Sequence, residues 1–182
     1  YIFDNTILIG EFIHRVLRRK NSVKDMNKEP RILVFSIPSW NSKVGANTWE
    51  SLLSDYDRKN VANIYFRDEI PDSKVCGRYF LISENRIIKN LFNKKVQTGR
   101  EVSILNSDGE GSADLALHNQ RYIKMQKKRR YSLLMVRELI WKIGRWKTPE
   151  LKAFLDDFKP DIILHSMDGY IHLNRVVQFA IK

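Results

Sequence analysis

Hydrophobic positions along the chain switch between two regimes, continuous runs and helically spaced ones. Ile32 to Ile37 is a continuous aliphatic and aromatic run but for Ser36, the mark of a strand covered on both faces. Within RILVFSIPSWNSKVGANTWESLL, residues 31–53, the run gives way to a polar loop, and Thr48 to Tyr56 then resumes as a short helix with Trp49, Leu52, Leu53 and Tyr56 facing inward. Val61 to Phe66 predicts a second strand and Arg78 to Ile82 a third. Ser83 stands where it would cap a helix carrying Ile87, Ile88, Leu91 and Phe92. Asn93 to Gly111 mixes glycines and charges without periodicity and reads as a mobile loop. Tyr131 to Trp146 repeats at helical spacing through Leu134, Leu139, Ile140 and Ile143. Thr148-Pro149-Glu150 opens another helix, with Leu151, Phe154, Leu155 and Phe158 on its apolar face, and Lys159-Pro160 closes it. Asp161 to Leu164 is a short buried strand. The last helix bears Leu173, Val176, Val177, Ala180 and Ile181, with His172 on its flank.

At the other end, residues 1–20 place Ile9, Phe12, Ile13, Val16 and Leu17 at helical spacing, with Arg15, Arg18, Arg19 and Lys20 on other faces. This predicts a basic amphipathic helix, which either packs on the domain or lies on an anionic membrane. Residues 21–30 are polar and aperiodic, a linker. Strands alternating with helices imply parallel pairing, because a parallel connection needs a crossover. The expected fold over residues 31–182 is therefore α/β: a doubly wound, mostly parallel, Rossmann-like sheet with helices on both faces. Ligands bind such sheets beyond the carboxyl ends of the strands, where the loops after Ile37, Phe66 and Leu164 should converge.

Charge narrows the partners. A net charge of +11, from 32 Lys and Arg against 21 Asp and Glu, favours nucleic acid, acidic lipid or phosphorylated small molecules. The single cysteine, Cys76, excludes an intramolecular disulfide and a cysteine-rich zinc site, which suits a reducing compartment. No apolar stretch approaches the roughly 18 residues of a membrane span. The apolar-then-basic order of the amino-terminal region is the reverse of a secretory signal, so the expected location is cytoplasmic.

Several residues can carry chemistry at the expected cleft. Gly45-Ala46-Asn47 precedes a helix, where backbone N–H groups can approach a diphosphate closely; a glycine required only for positive φ would look the same. Asp68 and Glu69 end the second strand where a ribose-binding acid of a dinucleotide site would stand. Against that, Ser42 to Thr48 supplies one glycine where the fingerprint needs three. His165 and Ser166 follow a buried strand toward the cleft, and a histidine there can serve as a base or hydrogen-bond a hydroxyl, or be satisfied by backbone carbonyls. Asp168 fits a substrate contact or a helix cap. Trp40, exposed by its place on a polar loop, can stack on a sugar ring or fold over the sheet edge. Lys127, Lys128, Arg129 and Arg130 form either a solvated face or a membrane-facing patch together with Arg15, Arg18, Arg19 and Lys20. No triad, metal cluster or phosphate loop with its lysine is recognisable, and neither a metal nor a cofactor is expected.

Phe158-Lys159-Pro160-Asp161-Ile162-Ile163-Leu164-His165-Ser166 resembles the "kPDiiHsH" segment of bacterial glycosyltransferases with the GT-B architecture, in the large retaining family that uses nucleotide sugars. The preceding RELIWKIGRWKTPELKAFLDDF, residues 137–158, is similar to the stretch that leads into it in polysaccharide-assembly members. With RILVFSIPSW, these anchors span residues 31–182 except Asn93 to Arg130. The resemblance implies the amino-terminal, acceptor-side domain, with Gly45 and Ala46 facing the donor diphosphate and His165 and Ser166 facing the cleft. Two positions depart from the family pattern: Gly-Ala replaces Gly-Gly, and Met167 replaces the second histidine. The donor domain's paired glutamates and the later strands of this domain are not in the chain. The expectation is thus an incomplete, inactive piece of an enzyme that transfers a sugar from a nucleoside diphosphate donor to a lipid-linked or polysaccharide acceptor at the inner face of the plasma membrane. The competing expectation is a non-catalytic nucleic-acid-binding module, which has the charge but no recognisable reading element.

Overall fold

The computed structural model describes residues 12–14, 29–41, 48–103, 131–165 and 171–181. Along them run β1 (Phe12–His14), β2 (Ile32–Ser36), α1 (Thr48–Leu52), β3 (Val61–Tyr65), β4 (Arg78–Ile82), α2 (Glu84–Phe92), β5 (Gly99–Val102), α3 (Tyr131–Ile143), α4 (Pro149–Phe158), β6 (Ile162–His165) and α5 (Ile171–Ile181). The strands form one six-stranded sheet in the order β1-β6-β2-β3-β4-β5. The inner pairs β6–β2, β2–β3 and β3–β4 are parallel, and both outermost strands are antiparallel to their neighbours. The protein is an α/β fold on a mixed sheet.

Alternation along the inner strands divides the core into two layers, because successive side chains of a strand point to opposite faces. Leu33, Phe35, Ala62, Ile64, Phe80 and Ile82 meet Trp141 of α3, Leu151, Phe154 and Phe158 of α4, and Leu173, Val176 and Val177 of α5. Ile32, Val34, Val61, Tyr65, Tyr79, Leu81 and Leu164 meet Trp40, Trp49 of α1 and Leu53. Burying each large apolar side chain contributes about 1.5–3 kcal/mol, so the aliphatic runs dictate the sheet.

Local punctuation behaves as the residue types demand. Ser83 accepts a hydrogen bond from the Arg86 amide at 3.2 Å and caps α2. Thr148 does the same for the Leu151 amide at 3.2 Å, with Pro149 in the first turn of α4. Lys159 ends α4 in the left-handed region at φ 47°. At the amino ends of the strands Arg78 joins three elements: its guanidinium takes both oxygens of Glu101 at 2.7 and 3.1 Å and Asp157 at 2.5 Å, and it lies over the Phe154 ring. Gly77 is needed beside it, since a Cβ there would overlap the Arg58 carbonyl oxygen.

Several expectations are corrected. Residues 12–14, expected within a helix, form an edge strand whose register pairs Phe12 with His165 and Ile13 with Leu164; the open edge of β6 decides their conformation. The remainder of the expected amino-terminal helix lies outside the described residues. Residues 99–102, expected in a mobile loop, are β5, held to β4 by backbone pairing that leaves little trace in side-chain pattern. Helix α1 stops at Leu52, whose side chain is exposed rather than inward, and Leu91 and Phe92 at the end of α2 are also exposed. Among the described side chains of α3, Trp141 is buried and Ile140 packs against the core, while Leu139 and Ile143, expected to face the core, point outward.

Cys76 packs in the second layer with its sulfur 3.0 Å from the Arg78 carbonyl oxygen and 3.4 Å from that of Val61. Burial pushes the thiol pKa up to about 12. A thiol-specific disulfide reagent is therefore expected to modify Cys76 only as fast as the protein unfolds, because the thiolate is the reactive form. Immediate stoichiometric reaction of the native protein would contradict this packing.

Candidate functional site

The sheet's parallel centre brings four carboxyl ends, those of β6, β2, β3 and β4, to one rim. Strand β2 sits between β3 and β6, and its register sets Ser36 beside Tyr65 and Phe35 beside His165. The chain proceeds from β2 to β3 and β4 on one side and later returns to lay β6 on the other. The order reverses between β2 and β6, and it is at such a reversal that flanking loops part to leave a crevice.

The loop after β2 is tied down to the loop after β3. The amides of Phe66 and Arg67 both donate to the Ile37 carbonyl, at 3.2 and 3.0 Å. The amides of Asp72 and Ser73 donate to the Trp40 carbonyl, and the Asn41 side chain donates to the Ile70 carbonyl at 2.6 Å. Glu69, nearly buried, closes the join: one oxygen takes the Ser39 amide at 3.2 Å and its hydroxyl at 3.4 Å, while the other takes Arg67 at 3.2 Å. The Tyr65 hydroxyl donates to the Glu69 carbonyl at 3.0 Å. Beneath them Asn63, fully buried, donates to the Ser36 hydroxyl at 2.9 Å and to the Val34 carbonyl at 3.2 Å, and the Ser36 hydroxyl donates to the Pro38 carbonyl at 2.8 Å. Buried polar groups that satisfy one another in this way rigidify the backbone around them.

On the opposite face of the sheet, the starts of α2 and α5 meet the middle of α3. Glu84, the first residue of α2, accepts from Arg137 at 2.6 Å and from the Trp141 indole at 3.0 Å. His172, next to the start of α5, is buried, stacks on Trp141 at 4.6 Å between centroids, and its Nδ1 lies 2.8 Å from Glu138. Phe66, just past β3, meets both rings edge-on. Burial lowers the His172 pKa from its ordinary 6.5, against the upward pull of Glu138, and nearby Arg137 lowers it further.

A histidine whose folded pKa is depressed contributes stability that is fully present above its unfolded value and is lost as pH falls toward the folded one. Between pH 7.5 and 5.5 the wild type should therefore lose stability with a slope of up to about 1.4 kcal/mol per pH unit from this residue. The variant His172→Gln should show a shallower slope in urea unfolding across the same range. Equal slopes would mean that His172 is not held neutral by its surroundings.

The structure places the expected site residues unevenly. His165 ends β6 at the rim and is buried, at 6% exposure. Trp40, expected to be exposed, is completely buried in the second core layer; its ring folds under the loop and is not available to stack on a sugar. His172, expected on a flank, is a core residue. Asp68 and Glu69, the candidate ribose acids, are engaged by Asn85 at 2.6 Å and by Ser39 and Arg67. Gly45, Ala46, Asn47, Ser166, Asp168 and the basic residues Arg15, Arg18, Arg19, Lys20 and Lys127 to Arg130 lie outside the described residues. Sequence reasoning passed over Asn63, Glu69 as a brace, and the Glu84–Arg137–Trp141 group. Asn63 alone carried a signal, a polar residue in the middle of a buried run.

Among the described residues, no group of His, Cys, Asp and Glu is placed to hold a metal ion, and no helix is long and apolar enough to cross a membrane. The rim side chains largely engage one another. What the arrangement offers a ligand is a rigid frame of loops at a strand-order reversal. No protein-family model, curated protein or solved structure matches the chain.

Proposed function

We propose that this chain is the acceptor-side domain of a glycosyltransferase, a doubly wound, Rossmann-like half of a GT-B architecture. The enzyme of this reading transfers a sugar from a nucleoside diphosphate donor to a lipid-linked or saccharide acceptor. The observation that carries the reading is the parallel pairing of β2 with β6, which sets the turn after Ser36 beside His165 at the reversal of strand order. That is the junction at which α/β sheets bind ligands. The resemblance of residues 158–166 to the retaining nucleotide-sugar family then supplies the ligand class. In this reading the Glu69 brace ties residues 39–41 to the loop after β3, and the edge of His165 faces the donor diphosphate and acceptor. His165 is the candidate catalytic or substrate-contacting residue, and Gly45, Ala46, Asn47, Ser166 and Asp168 complete the contacts. The domain works at the inner membrane face. The prior engagement of Asp68 and Glu69 weighs against a dinucleotide site.

Saturation-transfer NMR on the purified chain tests the ligand class. Nucleoside diphosphate sugars should give signals from sugar and diphosphate-proximal protons that a plain dinucleotide of equal concentration does not match. Tight binding of a labelled RNA or DNA oligomer with a steep salt dependence, and no response to nucleotide sugars, would move the assignment to a nucleic-acid-binding module.

A further inference from the structure

Helix α3 is apolar on two opposite sides. Trp141 anchors its inner side in the core, yet Met135, Val136, Leu139 and Ile143 are 74%, 53%, 55% and 58% exposed. At the angular step of an α-helix these four positions share an arc of about 100°, one continuous outward stripe. Exposed basic residues flank its carboxyl end: Lys142, then Arg145 and Lys147, the last passing over the Trp146 and Phe179 rings. Residues 127–147 hold eight basic residues (Lys127, Lys128, Arg129, Arg130, Arg137, Lys142, Arg145 and Lys147) against one acidic one, Glu138, and of the eight Arg137 is turned inward onto Glu84. An apolar stripe within so basic a segment has one natural complement, a surface that is negatively charged outside and hydrocarbon just beneath.

We propose that the outward face of α3 docks the domain on an anionic lipid bilayer, with Met135, Val136, Leu139 and Ile143 entering the headgroup–acyl boundary and Lys142, Arg145 and Lys147 contacting lipid phosphates. The helix has 13 residues, about 20 Å at 1.5 Å per residue, too short for a hydrocarbon core of about 30 Å, so it lies in the interface. A second copy of the chain is a poor occupant, because two such basic surfaces repel. Nucleic acid is a poor one too, since the stripe carries aliphatic and thioether side chains where base stacking would use aromatic ones. The proposal deepens the membrane-facing reading above by naming the surface, and it is separable from sugar transfer. Lipid binding without nucleotide-sugar binding retains this surface and removes the transferase, and the converse removes this surface alone.

Flotation with phosphatidylcholine vesicles, with and without phosphatidylglycerol, tests it. The wild type should float with the anionic vesicles at least about tenfold more than with the neutral ones and should lose that binding in high salt. The double variant Leu139→Glu, Ile143→Glu should lose binding about tenfold or more while keeping the wild-type circular dichroism spectrum and thermal midpoint, since both side chains are exposed. Leu52→Glu, an equally exposed position on α1, should bind like wild type. A thiol-linked environment-sensitive dye at Met135→Cys should shift to the blue on anionic vesicles, Cys76 being buried. Equal flotation with neutral and anionic lipid, or unchanged binding of the double variant, overturns the proposal. So does a lipid-independent dimer that the double variant abolishes.

Discussion

Trp141→Ala is expected to cost about 3–5 kcal/mol of folding stability, the range for emptying a large aromatic site in a packed core. Trp141 is fully buried, stacks on His172, meets Phe66 edge-on and donates its indole N–H to Glu84. Truncation leaves a ring-sized void where α3 and α5 meet, and it takes one of the two donors from a carboxylate oxygen that Arg137 must then satisfy alone. Trp141→Phe keeps most of the packing and loses the N–H donor, so its cost should be nearer 1–3 kcal/mol. Urea unfolding of the two variants checks both the size and the order. A loss below about 1 kcal/mol for alanine would mean that α3 is not seated on the sheet as described.

Glu69→Ala should act more locally. It removes the acceptor for the Ser39 amide and hydroxyl and leaves Arg67, largely buried, without this carboxylate, which together should cost about 2–4 kcal/mol. The sharper signature is in hydrogen exchange. The amides of Arg67, Asp72 and Ser73 donate to Ile37 and Trp40 across the brace, so they should exchange faster by an order of magnitude or more. Central amides of β2 and β3 should change only as far as global stability does. Uniform acceleration across the sheet would show that Glu69 is a general stabiliser and not the latch between the two loops. Glu69→Gln, which keeps an acceptor oxygen, should fall between.

The parts of this architecture that were legible in the sequence are those decided by local chemistry. A serine or threonine that accepts from the third amide of a helix does so wherever the helix lies, and Ser83 and Thr148 did. Runs such as Ile32 to Ser36 become central strands because no other element buries both faces at once. What was not legible depends on partners distant in the chain. Gly99 to Val102 is polar and pattern-free, and it becomes a strand because β4 presents an open edge. Phe12 to His14 falls in a stretch of helical spacing, and the open edge of β6 overrides that spacing and selects strand.

The same reason explains the candidate site. His165 was readable because it directly follows a buried run. Trp40 sits among polar residues, and bonds from the neighbouring loop to its carbonyl, to Ser39 and to Asn41 hold the backbone where its ring packs into the second core layer. In α3, apolar residues occur all around the helix, so periodicity selected Leu139 and Ile143 as inward when Trp141 is. The outward stripe is what that ambiguity conceals.

The most direct measurement is amide chemical-shift mapping of the isotopically labelled chain during titration with nucleoside diphosphate sugars at millimolar concentration. A ligand site at the reversal between β2 and β6 predicts that the shifts gather at residues 36–41, 66–69 and 165 and at the start of α5. Arg31, Gly77 and Asp161, at the opposite ends of the strands, should stay still, and His165→Ala should diminish the response. Shifts centred on those opposite ends, or no shifts at all, would contradict it.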